Sequence, residues 1–152
     1  MRTKKINPLE AHLGYWMRFV SNRVSEEFQR TIEAHGVSVT EWVALRILYD
    51  QENATHGALT EVLGMTKGAV SKLITRLEEK QLIARDEDEG DGRLVALNLT
   101  DAGRELVPRL AQMADENDRR FFGHLSPTQQ TQLRLLLEEI VRLQQLTEVP
   151  VR

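Results

Sequence analysis

The sequence predicts a mainly α-helical chain with one short β-hairpin, and three observations predict it. Apolar residues recur at steps of three or four over long stretches, the period of a helix with one covered face. Residues that favour helix starts stand before these runs: Ser38 with Glu41, Thr55, Thr66, Thr100, and Ser126 with Pro127 and Gln129. The stretch "RLVALNL" (93–99) instead alternates, with Val95, Leu97 and Leu99 on one face and Ala96 and Asn98 on the other.

The first helix is expected from about Pro8 to Ala34. Leu9, Leu13, Trp16, Val20, Val24, Phe28 and Ile32 form its stripe, and Gly36 ends it. Ser38 and Glu41 form a capping box before a helix whose Trp42, Val43, Leu45, Ile47 and Leu48 are apolar almost all round, as in a central buried helix. Thr55 caps a short helix from about His56 to Leu63, and Gly64-Met65 turns the chain. Thr66 caps the next helix, about Lys67 to Lys80, with Val70, Leu73, Ile74 and Leu77 on its core face. Strands over 82–85 and 93–99 follow, joined by an acidic loop containing Gly90 and Gly92. Thr100 caps a helix reaching about Phe122, and Ser126-Pro127 opens the last one. That helix is expected to carry Leu133, Leu136, Leu137, Ile140, Leu143 and Leu146, plus Leu135 and Val141, more than one covered face needs. Such a surplus points to a partner, although packing within one chain would also use leucines.

A length of 152 residues suits one domain, or one with an appended oligomerisation part. Apolar residues at 41% and charged residues at 28% are the balance of a soluble globular protein. No apolar run approaches the ~18 residues that span a membrane, and "MRTKKINPLEAHLG" lacks the apolar core of a signal peptide. There is no cysteine, which removes disulfides, thiolate metal sites and thiol redox sensing and fits a cytoplasmic location. With 20 Lys and Arg against 23 Asp and Glu the net charge is −3, which argues against a nucleic-acid binder unless the charges are unevenly placed. No Ser-His-Asp spacing, phosphate loop, metal cluster or paired-carboxylate motif stands out, so neither an enzyme nor a cofactor is expected.

Helix, short turn, helix and hairpin in that order describe a winged helix-turn-helix, whose second helix lies in the DNA major groove. The helix that would do so presents Lys67, Gly68, Ser71, Lys72, Thr75 and Arg76 opposite its core face. Gly68 at the helix start would let the backbone approach phosphate. Ser71 and Thr75 can bond base edges or phosphates, and Lys72 and Arg76 can reach guanine acceptors or phosphates. A solvated amphipathic helix would carry similar residues; the hairpin directly after it favours the DNA reading.

The segment "THGALTEVLGMTKGAVSKLITRLEEKQLIARDEDEGDGRLVALNLTDAGREL" resembles the MarR family of bacterial transcription regulators. L-x-E-x-L-G-M-T lies at Leu59–Thr66, "GAVSKLITRLEEKQLIAR" at 68–85, D-x-R at Asp91–Arg93 and L-T-x-x-G at Leu99–Gly103. The resemblance covers nearly the whole chain. It implies a homodimer on double-stranded DNA, most often a repressor. Residues 1–37 and 101–152 would supply dimerisation helices, and 38–100 the winged DNA-binding domain. Thr66 and Arg85 would join the helix residues at DNA. Arg93 would enter the minor groove at the wing tip, held by Asp91; a surface ion pair worth under ~1 kcal/mol is the bland alternative. Where the family usually has glycine, this chain has Gln81, so a differently shaped turn is expected.

Five acids stand in the six residues from Asp86 to Asp91. Asp91 has a role through Arg93; Asp86, Glu87, Asp88 and Glu89 are expected on the outer side of the hairpin, trimming affinity. Many members of the family release DNA on binding a small aromatic or anionic effector. His12, Tyr15, Trp16, Arg18 and Trp42 are the candidate lining here, with core aromatics and surface charges as the plainer account. His12, His35, His56 and His124 lack metal-ligand spacing, so no metal site is expected. A winged module that binds protein rather than DNA is the competing function, favoured by the acidic wing and opposed by Lys67, Lys72, Arg76 and Arg93.

Overall fold

The computed structural model describes residues 4–87 and 95–151. Asp91 and Arg93, like Asp88 and Glu89, lie outside them. The helices are α1 (Leu13–Glu33), α2 (Val39–Asp50), α3 (His56–Leu63), α4 (Lys67–Glu79), α5 (Asp101–Phe122) and α6 (Pro127–Leu143). Strands β1 (Ile83–Glu87) and β2 (Val95–Leu99) pair antiparallel between α4 and α5.

The expected caps form. Ser38 and Ser126 each close a capping box, and Thr55, Thr66 and Thr100 each accept from the backbone amide three residues on. The first helix starts later than its periodicity suggests. Leu9–Ala11 make one 3-10 turn, and His12 is extended, with φ −98° and ψ 125°. The Trp16 indole donates to the Glu10 carbonyl at 2.9 Å, fastening that turn back onto α1.

The core lies in the winged region. Leu45 and Leu48 of α2, Leu59 and Leu63 of α3, and Val70, Leu73, Ile74 and Leu77 of α4 are buried together, with Leu97 and Leu99 of β2. Ile32 from the end of α1 and Val107 and Leu110 from the first half of α5 join this cluster. The apolar stripe of α1 therefore divides: Ile32 is fully buried, whereas Leu13 is 84% exposed and Trp16 50%. Helix α6 buries no residue at all. After α6 the chain returns to the winged region, where the Val151 carbonyl accepts from the Thr40 hydroxyl at 2.9 Å.

The turn after α4 corrects an expectation. Gln81 takes φ +60°, so the left-handed turn that glycine would favour is kept despite the side chain. The Gln81 amide bonds the Glu78 carbonyl at 2.8 Å and the Leu82 amide bonds the Leu77 carbonyl at 3.0 Å, closing a Schellman motif. Those two bonds and the buried Leu77–Leu82 pair hold the conformation. Gln81→Gly should therefore stabilise the protein by about 0.5–1 kcal/mol, because glycine carries no left-handed penalty; chemical denaturation would measure it.

Strand β1 also runs further than expected. Ile83 pairs Leu99 and Glu87 pairs Val95, so Asp86 and Glu87 belong to the strand rather than to an acidic loop. Asp86 has a partner: its carboxylate accepts from Asn98 Nδ2 at 3.0 Å across the strands. Asn98 in turn exchanges bonds with Asn53, whose amide donates to Asn98 Oδ1 at 2.8 Å. The Leu97 amide donates to the Ala54 carbonyl at 2.7 Å, adding a one-residue bridge to the hairpin. The acid beside the wing thus helps fix the hairpin to the α2–α3 loop.

A half-buried ion pair ties the end of α4 to α2 and to the turn after α1. Lys80 Nζ lies 2.7 and 3.0 Å from the two oxygens of Glu41 and 2.8 Å from the Gly36 carbonyl. Burial of Glu41 raises its pKa, but hydrogen bonds from Lys80 and from Ser38, with the charge of Lys80, outweigh that and hold it below the ordinary 4.5. A depressed carboxylate stabilises the fold fully above 4.5 and loses that contribution as pH falls through its lower folded value. Lys80→Met should cost about 2 kcal/mol, less than a wholly buried pair because Lys80 is partly exposed. It should also flatten the acid side of the stability curve, seen by urea unfolding between about pH 3 and 6.

Candidate nucleic-acid interface

Helix α4 has two chemically opposite faces. Val70, Leu73, Ile74 and Leu77 are buried. Thr66, Lys67, Gly68, Ser71, Lys72, Thr75 and Arg76 are all exposed on the other side. Ser71, Lys72, Thr75 and Arg76 line one shallow open cavity of about 440 Å³. The core face fixes the helix, and the Thr66 cap fixes its start, with the Ala69 amide donating to Thr66 Oγ1 at 3.2 Å. A Cβ on Gly68 would meet nothing within 4 Å, so the fold demands no glycine there.

The cations are placed unequally. Lys67, Lys72 and Arg76 form no ion pair with any described residue, so their charge faces solvent. Arg85 in β1 instead donates to Glu78 at 2.7 Å, which ties the base of the hairpin to α4 and offsets part of its charge. This distribution resolves the objection from a net charge of −3.

The hydroxyls are engaged by the protein. Thr75 donates to the Ser71 carbonyl at 3.0 Å. Ser71 Oγ lies 3.0 Å from Nε2 of His56, a half-buried residue at the start of α3. Nothing in the residue pattern singles out His56, because the contact joins residues 15 apart across the helix-turn-helix.

The residues considered for an effector do not converge within one chain. Tyr15 and Trp16 stack edge to face at 5.3 Å, with Phe19 as a third ring, and His12 and the exposed Arg18 lie on the same stretch. Trp42 packs on Phe28 instead, at 6.3 Å. At 1.5 Å per helical residue Phe28 lies about 18 Å along α1 from Trp16. None of the five lines the large cavity of about 820 Å³ between the end of α5 and α6, formed by Phe122, Leu133, Leu137, Val141 and Leu146 with Arg119 and Arg142. Among the described residues no three metal-ligating side chains cluster, and no helix is long and apolar enough to cross a membrane.

Comparison with known proteins agrees with this geometry. The MarR family profile matches residues 37–95. The chain is 32% identical over 116 residues to the uncharacterized HTH-type transcriptional regulator YkoM of Bacillus subtilis, covering 76% of this chain and 75% of that protein. The DNA complex of MepR from S. aureus is 25% identical with a TM-score of 0.74, over 86% of this chain and 97% of that one. BpsR of Bordetella bronchiseptica, whose DNA binding is regulated by 6-hydroxynicotinic acid, is 26% identical with a TM-score of 0.74, over 90% of this chain and 97% of that one. Relatives named as transcription regulators are not enzymes. A winged helix-turn-helix between two long terminal helices, with the profile match on the winged region and a regulator aligned over three quarters of the length, makes this chain a member of the MarR family.

Proposed function

We propose that the protein is a homodimeric repressor that binds double-stranded DNA at a pseudo-palindromic operator. The observation that carries the reading is the outer face of α4. There Lys67, Lys72 and Arg76 stand exposed beside Ser71 and Thr75, on a helix whose opposite face is locked into the core. Lys72 and Arg76 would contact guanine acceptors or phosphates, and Thr66 and Lys67 the backbone at the helix start. Arg93 would enter the minor groove from the wing, oriented by Asp91, with Arg85 bracing the hairpin base. The MepR–DNA complex supports this use of the fold.

Residues 1–37 and 101–152 would form the dimerisation region around the exposed stripes of α1 and α6, and residues 38–100 the DNA-binding domain. Two α4 helices related by a two-fold axis would enter successive major grooves, about one helical turn apart. A bound dimer would occlude a promoter, which is how repression would follow. The regulation of BpsR by 6-hydroxynicotinic acid supports a small aromatic anion as effector. The Tyr15–Trp16–Phe19 cluster would take its ring, and Arg18 or His12 on the same stretch its charge.

Selection of genomic fragments by the purified protein, with an Lys72→Ala, Arg93→Ala double variant alongside, tests the reading. A palindromic motif enriched only by the unaltered protein is expected. Its affinity should fall about a thousandfold between about 50 and 200 mM salt, as for a dimer neutralising several phosphates. Equal enrichment by the double variant would remove the assigned contacts.

A further inference from the structure

The hydrogen bonds behind Ser71 fix which way its hydroxyl can bond. Thr60 donates its only hydroxyl proton to the His56 carbonyl, at 2.8 Å. The same oxygen lies 3.2 Å from His56 Nδ1, and toward that nitrogen it can now only accept. Nδ1 therefore carries the proton of the neutral ring, and Nε2 is left as an acceptor. Ser71 Oγ, 3.0 Å from Nε2, must then donate to it. Its proton is used inside the protein and its lone pairs face outward. Thr75 is in the same state by a separate route, since its proton goes to the Ser71 carbonyl at 3.0 Å.

We propose that His56 is a specificity-determining residue that acts through Ser71, making the recognition-helix hydroxyl an acceptor only. An acceptor in the major groove selects the exocyclic amino groups, N6 of adenine or N4 of cytosine, on the strand it faces. It discriminates against the O6 of guanine and the O4 of thymine, which offer only acceptors at that place. A serine free to rotate would take either kind of base. The inference rests on the DNA-binding reading of α4 and adds which bases it prefers. Lys72 and Arg76, which carry only donors, would read the complementary guanine acceptors, so the face carries both polarities.

The experiment is selection from a fully randomised operator pool. It compares the unaltered protein with Ser71→Ala, His56→Phe, Thr60→Val and the Ser71→Ala, His56→Phe double variant, each checked by thermal unfolding. A position per half-site that depends on Ser71 should prefer adenine or cytosine by about two- to tenfold, the range of one ordinary hydrogen bond. Ser71→Ala should erase that preference. His56→Phe, which keeps the ring shape but removes the acceptor, should admit guanine and thymine at the same position and leave the others alone. Thr60→Val frees the ring to place its proton on Nε2 and should relax the same position without altering His56. The double variant should match Ser71→Ala. A preference at the Ser71-dependent position that survives both His56→Phe and Thr60→Val overturns the inference while leaving DNA binding intact. An unaltered protein that enriches no motif overturns the DNA-binding reading and this inference with it.

Discussion

A chain carrying Leu136→Glu and Ile140→Glu is expected to run as a monomer and to bind operator at least about a thousandfold more weakly, because the second half-site no longer benefits from the first. Leu136 and Ile140 stand one helical turn apart on α6, 60% and 54% exposed in the isolated chain. A monomeric soluble protein rarely leaves an apolar face of this extent to water. Leu13, Trp16 and Phe19 of α1 are similarly uncovered, and the cavity along α6 presents mostly apolar surface, although polar and charged side chains share its lining. Two carboxylates on a buried dimer face would each need a partner or forfeit their hydration, a cost of several kcal/mol. The winged core should survive, since α6 contributes no buried residue to it. Sedimentation velocity reads the mass and circular dichroism the fold. A dimer that persists with unchanged operator affinity would remove α6 from the interface.

How much of this was legible in the sequence depends on the range of the interaction. Ser38, Thr55, Thr66, Thr100 and Ser126 could be assigned as caps because each bond spans three residues, and all five form. The four core residues of α4 followed from periodicity, and its exposed face followed by subtraction. The α1 stripe was legible as a stripe. That only its last turns would be covered was not, because periodicity records that a face is apolar without recording what meets it. The Lys80–Glu41 pair, the His56–Ser71 contact and the Asp86–Asn98–Asn53 chain were all invisible. Each joins residues that only the tertiary fold brings together. The reach of β1 to Asp86 and Glu87 was illegible for the same reason: counting charges along "RDEDEGDGRL" identifies an acidic stretch, but only strand register gives Asp86 a neighbour.

Gly103 shows a motif whose reason appears only in three dimensions. Gly103→Ala is expected to destabilise the protein by about 3 kcal/mol, the upper end of the usual overpacking penalty. For a chain of this size that lowers the melting temperature by about 6–12 °C. A Cβ at position 103 would sit 2.2 Å from the Leu82 carbonyl oxygen, well inside any real contact. The backbone has no easy retreat. The Leu82 carbonyl accepts the Thr100 amide at 3.0 Å, the Thr100 hydroxyl donates to the Gln81 carbonyl at 2.7 Å, and the Gly103 amide is itself held by Thr100 Oγ1 at 3.1 Å. Relief would mean moving the start of α5 off the Gln81–Leu82 turn that precedes β1, which breaks these bonds and lifts Val107 from the core. Gly57 supplies the comparison. It lies in α3, and a Cβ there meets nothing within 4 Å. Gly57→Ala should therefore stabilise, by about 0.5–1 kcal/mol, through the lower entropy of the unfolded chain. Differential scanning calorimetry of the two variants at one protein concentration separates these accounts. Opposite shifts are expected; a Gly103→Ala protein that melts with the unaltered one would mean that α5 does not press on the Leu82 carbonyl as described.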